Sequence, residues 1–223
     1  MINYLVPSDT SAVVIRTGHA AGMKILIHPR SEKYYWTGTH EMPCQNALAS
    51  TLKPGMSFWD VGTHIGFFSL IASQKVGNAG HVHCFEPLPD NRARLNATLR
   101  LNKISNAVVH AGALAGRSGE AVLYARGSSS MWTLEPQTGA SVTVPVPQWT
   151  LDQMAHEIDL PGVIKIDTEG VELEVLEGGT ELLNAYHPIL LVEFSNQEVL
   201  DKAKELLPEY EFHRLSHRHW LLR

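Results

Sequence analysis

Cysteine is nearly absent from these 223 residues: Cys44 and Cys84 are too few and too isolated for a disulfide framework or a cysteine-rich zinc site. Charge is scarce as well, at 18% of residues, and the acids outnumber the bases to leave a net −5. That balance gives no bulk electrostatic reason to bind nucleic acid. Arg92, Arg94 and Arg100 come nearest to a basic patch, and on a helix they read as a solvated face. No window approaches the roughly 18 consecutive apolar residues of a membrane span. The stretch MINYLVPSDT lacks the basic-then-apolar pattern of a secretory signal, so the expectation is a cytoplasmic chain without a nucleic-acid or membrane partner. The 12 histidines are numerous, yet no His-x-x-x-His or His-plus-Cys spacing resembles a metal site, and no metal is expected. Oligomeric state is not legible.

What is present is a 44% hydrophobic composition, enough for a real core in one α/β domain over residues 1–223. Two β-like runs, AVVIRTG (12–18) and MKILIHP (23–29), are separated by HAAG and predict an N-terminal hairpin. YYWTGTHE reads as a loop, followed by a helix starting near Pro43 and ending before Pro54-Gly55. Residues 1–54 thus form an N-terminal extension of hairpin and helix. From Met56 onward strands and helices alternate. MSFWDV is a strand and GFFSLIASQKV a helix stopped by Gly77. HVHCFEP is a strand, and DNRARLNATLRLN a helix with Asp90 as N-cap. AVVHAGAL (107–114), GVIKID (162–167) and PILLVEF (188–194) continue the strands, with the helix VELEVLEGG between the last two. Such alternation predicts a mostly parallel sheet with helices on both faces. The end differs: EFHRLSH and HWLLR predict an antiparallel hairpin. Residues 115–150 interrupt the rhythm as a β insertion, in which GSSSMWTLEPQTG, with Met131 and Trp132, is either a surface excursion or a lid that touches substrate.

In an open α/β sheet, ligands sit beyond the carboxyl ends of the strands. Asp60, Glu86, Asp167 and Glu193 each end a strand, and four acids so placed favour a site over chance. Between Asp60 and the following helix lies DVGTHIG. Gly62 and Gly66 either permit a close ligand approach or serve tight strand-to-helix packing. His64 stands where a dinucleotide fingerprint needs its middle glycine, and the Gly-Lys-Ser/Thr of a phosphate-binding P-loop is absent. The loop suits a ligand without phosphates but with a ribose, whose hydroxyls Glu86 would accept in bonds of about 1.5–3 kcal/mol each.

DVGTHIG, FEP, KIDTEGVE and PILLVEF together resemble the FkbM family of S-adenosylmethionine-dependent methyltransferases, over about Tyr35 to Phe194. Thr63 and His64 depart from that family's usual small residue and Asn. The resemblance implies a class I methyltransferase (Rossmann-like) fold: α/β, with a mostly parallel seven-stranded sheet and an antiparallel last strand. It implies S-adenosyl-L-methionine as cofactor and O-methylation of a small molecule or sugar. By the same resemblance Asp60, Gly62, Thr63 and Gly66 form the loop under the methionine part. Glu86 holds the ribose with Pro87 beside it, and Ala113 and Leu114 meet the adenine edge. Asp167 lies near the methionine amino group or the acceptor. Glu41 either reaches the cofactor or is a helix-start acid favoured by the dipole.

Lys165 and Asp167 are two apart on a strand and share a face. A Lys within an apolar strand needs a partner, and Asp167, Glu169, Glu172 or Glu193 can supply one, as a structural ion pair or as part of the catalytic group. Methyl transfer to an alcohol needs positioning and a proton acceptor. Asp167 is the first candidate for that base, with Glu193, His64 and His217 behind it. A nitrogen acceptor, amide or amine, is the rival within the class. Outside it stand an NAD-dependent oxidoreductase and a nucleoside-binding module without turnover.

Overall fold

The computed structural model describes residues 10–125, 132–133, 143–168 and 170–223. The N-terminal hairpin is present as β1 (Ser11–Val14) and β2 (Lys24–Ile27), paired antiparallel. The stretch expected to be a loop holds a short helix, α1 (Lys33–Thr37), closed by Gly38 in the left-handed region at φ 81. Five residues are too few to leave a helical period in the sequence. Helix α2 (Met42–Thr51) follows, then the alternating region: β3 (Ser57–Val61), α3 (Phe67–Val76), β4 (His81–Phe85), α4 (Pro89–Leu101) and β5 (Ala107–His110). Helix α4 is not capped by Asp90. Leu88 is its N-cap, Pro89 sits at its first turn where a missing N–H costs nothing, and Asp90 lies one residue inside, facing the positive end of the helix dipole.

The run AVVHAGAL is two strands. β5 stays in the main sheet, while β6 (Ala113–Leu114) turns into a second, four-stranded sheet of order β6-β9-β7-β8 with β7 (Gly119–Ala125), β8 (Trp132–Thr133) and β9 (Thr143–Trp149). The break falls at Gly112, where a Cβ would lie 2.5 Å from Cζ3 of Trp149, so that ring occupies the space a side chain would need. The chain then forms α5 (Leu151–Glu157), β10 (Val163–Ile166), α6 (Glu172–Glu177), α7 (Thr180–Tyr186), β11 (Ile189–Glu193), α8 (Gln197–Leu206), β12 (Phe212–Arg214) and β13 (His219–Leu222). Thr150 and Asn196 cap α5 and α8 by accepting from Gln153 N and Val199 N, each at 3.0 Å.

The main sheet has seven strands in the order β12-β13-β11-β10-β3-β4-β5, with β13 antiparallel to both neighbours and the central strands parallel. β3 is buried at all five positions, as the middle of a doubly covered sheet requires. Its side chains alternate: Phe58 belongs to a core shared with α2, α3 and the N-terminal hairpin, Trp59 to one shared with α5 to α8. Two of the three arginines expected on a solvated face are engaged. Arg94 pairs with Glu32, with both side chains nearly buried, and binds the Leu26 carbonyl, tying the hairpin to α4. Arg92 donates to the Glu86 and Pro87 carbonyls. Arg100 stays exposed. Both cysteines are buried and free. Among the described residues no helix is long and apolar enough to cross a membrane.

Candidate active site

Sequence order reverses at β3: the chain fills one side of the sheet with β4 and β5, then crosses to β10 and β11 on the other. A cavity of about 420 Å³ opens beyond the carboxyl ends of these strands. That volume lies within the roughly 300–1,000 Å³ of small-molecule sites. Gly62, His64, Glu86, Pro87, Ala113, Leu114, Glu41, Asp167 and Glu193 all line it. The β insertion reaches its wall through Leu123.

The DVGTHIG turn is held from both sides. Gly62 and Thr63 donate to the Phe85 carbonyl at 3.1 and 3.2 Å, and the Thr63 hydroxyl donates to the Asp60 carbonyl at 2.6 Å. Gly62 has φ +80, and a Cβ there would lie 1.8 Å from the Asp167 carbonyl oxygen. The glycine is what lets the ends of β3 and β10 touch. We expect Gly62→Ala to lower stability by at least about 1–3 kcal/mol from the left-handed backbone alone. The urea midpoint of the purified chain measures it, and an unchanged midpoint would contradict the reading. Gly66 serves packing instead: at φ +90 it opens α3, and its missing Cβ leaves room for Leu95 at 2.5 Å. Asp60, Thr63 and Gly66 stand behind the cavity wall rather than on it. The Asp60 carboxylate, 1% exposed, accepts from Ser69 Oγ at 2.5 Å, and its other oxygen is buried without a hydrogen bond.

His64 takes the left-handed region at φ 54, uncommon for a residue with a side chain but one that His tolerates. Its ring faces Tyr35, with Nδ1 at 3.2 Å from the phenol oxygen. Burial pulls its pKa down to about 4, so it is neutral at pH 7 and a weak base. Its backbone N–H donates to Glu86 Oε2 at 2.8 Å. Glu86 Oε1 accepts from Leu88 N at 3.0 Å and from Asn91 Nδ2 at 3.2 Å. Burial outweighs these donors and pushes the Glu86 pKa up to about 7. A carboxylate offers about four acceptor sites, so three internal donors leave room for one ligand hydroxyl. A second hydroxyl would have to share or displace Asn91, a residue with no motif in the sequence to mark it.

At the other end of the cavity three carboxylates converge: Glu41, Asp167 and Glu193 have oxygens within 4.8 Å of one another. Cations surround them. Lys165 Nζ lies 2.9 Å from Asp167 Oδ2 and over the Phe68 ring at 4.9 Å. Arg218 pairs with Glu193 at 2.9 Å. His219 Nε2 lies 3.3 Å from Glu41 and 3.5 Å from Glu193, off the hydrogen-bond line of either. Burial opposes charge on His219, but Cys44, Glu193 and Glu41 push its pKa up to about 12, so the ring is a cation. Burial also opposes ionisation of Asp167, and Lys165 overcomes it, holding the carboxyl at about 2. Lys165 itself is buried and does not line the cavity.

The structure therefore places Lys165 behind Asp167 and puts His217 at an exposed turn, where its carbonyl accepts from Arg214. Two residues further on, His219 occupies the position beside the acids. The signal for it is the antiparallel register, which sets His219 opposite Glu193. Met131 and Glu169 lie outside the described residues, and Trp132 is described only as backbone paired with Ala125. His40 and Tyr35 complete the wall as an aromatic pair with centroids 4.5 Å apart.

This strand order, with the antiparallel β13 and a cavity at the switch point, defines a class I methyltransferase-like fold. Residues 60–216 match the methyltransferase FkbM domain, and the chain belongs to that family. Over 149 residues it is 30% identical to the hexuronic acid methyltransferase AglP of Haloferax volcanii, a match covering 66% of this chain and 60% of that protein. The chain thus spans about 60% of the length of the curated relative it matches. The crystal structure of methyltransferase FkbM from Methylobacillus flagellatus superposes with a TM-score of 0.55 at 17% identity, over 86% of this chain and 55% of that one. Fibrillarin from Aeropyrum pernix, with natively bound S-adenosyl-L-methionine, gives 0.52 at 11% identity, over 97% and 99%. At these identities the likeness is one of fold.

Proposed function

We propose that the chain is an S-adenosylmethionine-dependent O-methyltransferase whose acceptor is a hydroxyl on a sugar or other small metabolite. The observation that carries this reading is the pairing, in one cavity, of Glu86 beside the Gly62 turn with the trio Glu41, Asp167 and Glu193. The donor set fits the cofactor. Glu86 has acceptor capacity for a ribose hydroxyl, and Phe85, Pro87, Leu88, Ala113 and Leu114 give an apolar slot for a flat base. The trio puts carboxylate oxygens on the cavity wall as acceptors for an ammonium group. When bound, S-adenosylmethionine supplies a methyl group on a positively charged sulfur.

What remains is done by the chain. Asp167, fixed by Lys165, accepts a hydrogen bond from the acceptor hydroxyl or from the cofactor's amino group and orients it. Its low pKa suits an acceptor that stays ionised throughout more than a base that stores a proton. Glu41 and Glu193 are held by His219 and Arg218, so the acids cannot turn away. The relative named a hexuronic acid methyltransferase supports the sugar class. The match to a methyltransferase family sets the oxidoreductase reading aside. Residues 127–140, which we assign to acceptor choice, lie largely outside the described residues.

Incubating the protein with deuteromethyl-labelled cofactor and a metabolite extract, then finding the labelled product by mass spectrometry, tests the reading. Label on a sugar oxygen is expected, and no label in any product would overturn it. Glu86→Ala is expected to weaken cofactor binding at least tenfold, about 1.4 kcal/mol, by calorimetry. Glu86→Gln retains acceptor capacity and should lose less. Unchanged affinity in both variants would remove Glu86 from the ribose.

A further inference from the structure

Two histidines lie in the first half of β4 on the sheet face that carries Trp59, toward the end of the strand away from the cavity. His81 and His83 alternate along β4 on one face, with ring centroids 6.3 Å apart, and His110 ends the neighbouring strand β5. Asp159, in the connection leading into β10, reaches toward them. His81 Nδ1 is in direct contact with Asp159 Oδ2, and His83 Nε2 lies 3.8 Å from that same oxygen. One ligand atom from each of His81, His83 and Asp159 falls within 4.8 Å of the others. We propose that these three side chains form a site for a first-row divalent ion, zinc being the reference case, with water completing the coordination.

The buried member of the set points to a ligand. The His83 side chain is 6% exposed, and its Nε2 is buried with no hydrogen-bond partner. Its Nδ1 lies 3.1 Å from His110 Nε2. If Nδ1 donates to His110, the free lone pair of Nε2 faces a carboxylate, so that two acceptors oppose each other. If His110 donates instead, the Nε2 proton faces an oxygen too distant to bond. A cation between Nε2 and the carboxylate resolves the first arrangement, and His110 then orients the ring through its other nitrogen, as partners of metal-bound histidines do.

Spacing agrees. Zinc bonds of about 2.0–2.2 Å place two tetrahedral ligands roughly 3.3–3.6 Å apart, between the direct His81–Asp159 contact and the 3.8 Å separation of His83 from the same oxygen. Asp159 is anchored as well: its carbonyl accepts from Trp59 Nε1 at 3.0 Å and from Ser57 Oγ at 3.4 Å, both on β3. Two imidazoles and one carboxylate suit zinc, nickel or copper more than magnesium or calcium. The ion would join the start of β4 to the connection before β10. That lies one strand length, about 13 Å at ~3.3 Å per residue, from the cavity end of β4.

The test is calorimetric titration of Zn²⁺ into the full chain freed of metal with a chelator. It is run on wild type, His81→Asn, Asp159→Asn and, for the cavity cluster around Cys44 and His219, Glu41→Gln. His81 and Asp159 are more than half exposed, so their variants should fold, which circular dichroism checks. The expected result is one ion per chain, bound at least tenfold more weakly by His81→Asn and Asp159→Asn and unchanged by Glu41→Gln. Zinc should also raise the Tm of wild type but not of these two variants. Absence of binding to wild type, or equal binding by wild type and both variants, would overturn the proposal. So would loss of binding in Glu41→Gln alone.

Discussion

Lys165→Met is expected to destabilise the folded chain by about 3–5 kcal/mol, the range for removing one partner of a buried ion pair. Lys165 is 4% exposed, and its pKa is raised although burial opposes it, because Asp167, Asp60 and Glu41 outweigh the lost solvation. The strand register puts Asp60 directly beside Lys165, and Asp60 is the more closed in of its two carboxylate neighbours on the strands. With the ammonium gone, burial already acting to raise the Asp60 pKa meets no opposing charge, and one of its oxygens is orphaned even in the native chain. Asp167 loses its cation too, but its side chain is 21% exposed toward the cavity, and solvent screens part of that loss.

Urea unfolding of Lys165→Met, Asp60→Asn and the double variant measures the coupling. The double variant should be more stable than the sum of the two single losses, since the buried carboxylate is gone along with the cation it faced. A loss below about 1 kcal/mol for Lys165→Met would place the pair among exposed ion pairs that contribute little. A Met side chain preserves the contact with Phe68, so the measurement reports charge rather than a cavity.

The central sheet is legible in the sequence because its strands are unbroken apolar runs punctuated by Pro-Gly, Gly77 and Gly162, and the last hairpin because its two runs are joined by a tight polar turn. Side-chain direction is less accessible. Asp60 and Glu86 both look like strand-end acids, but Asp60 falls on the row with Cys84 and Lys165 that faces α3, while Glu86 lies past the last β4 residue and turns into the cavity. Only the register separates them, and register is a long-range property. The same holds for His217 and His219: one sits in the turn, the other opposes Glu193 across β11 and β13. Arg94 looks solvated in the sequence because its partner, Glu32, is far away along the chain and meets it only when the hairpin docks on α4. The His81-x-His83 pair does not show as helical histidine spacing because it is a strand that brings residues two apart to one face.

Asp167→Asn should leave the fold in place and lower turnover by about 10²-fold or more, the scale of losing a positioning or proton-accepting group. Asn keeps the shape and one acceptor oxygen but removes the charge that Lys165 fixes at 2.9 Å. If Asp167 orients the acceptor hydroxyl, kcat falls while cofactor affinity changes little. If it holds the cofactor's amino group, calorimetry shows the loss instead. Turnover and affinity both at wild-type level would remove Asp167 from the site. Its acid–base behaviour gives a second readout. The carboxyl titrates at about 2 in the folded chain against 3.8 for the free side chain, so the unfolded state binds its proton more tightly. The stability it contributes is therefore complete above about pH 5 and is lost as pH falls toward 2, and Asp167→Asn should flatten that part of the stability curve. Lys165→Met should flatten it too, since the cation that depresses the pKa is then absent. Agreement of the two variants in acid would tie the carboxylate in the cavity to the ammonium buried behind it.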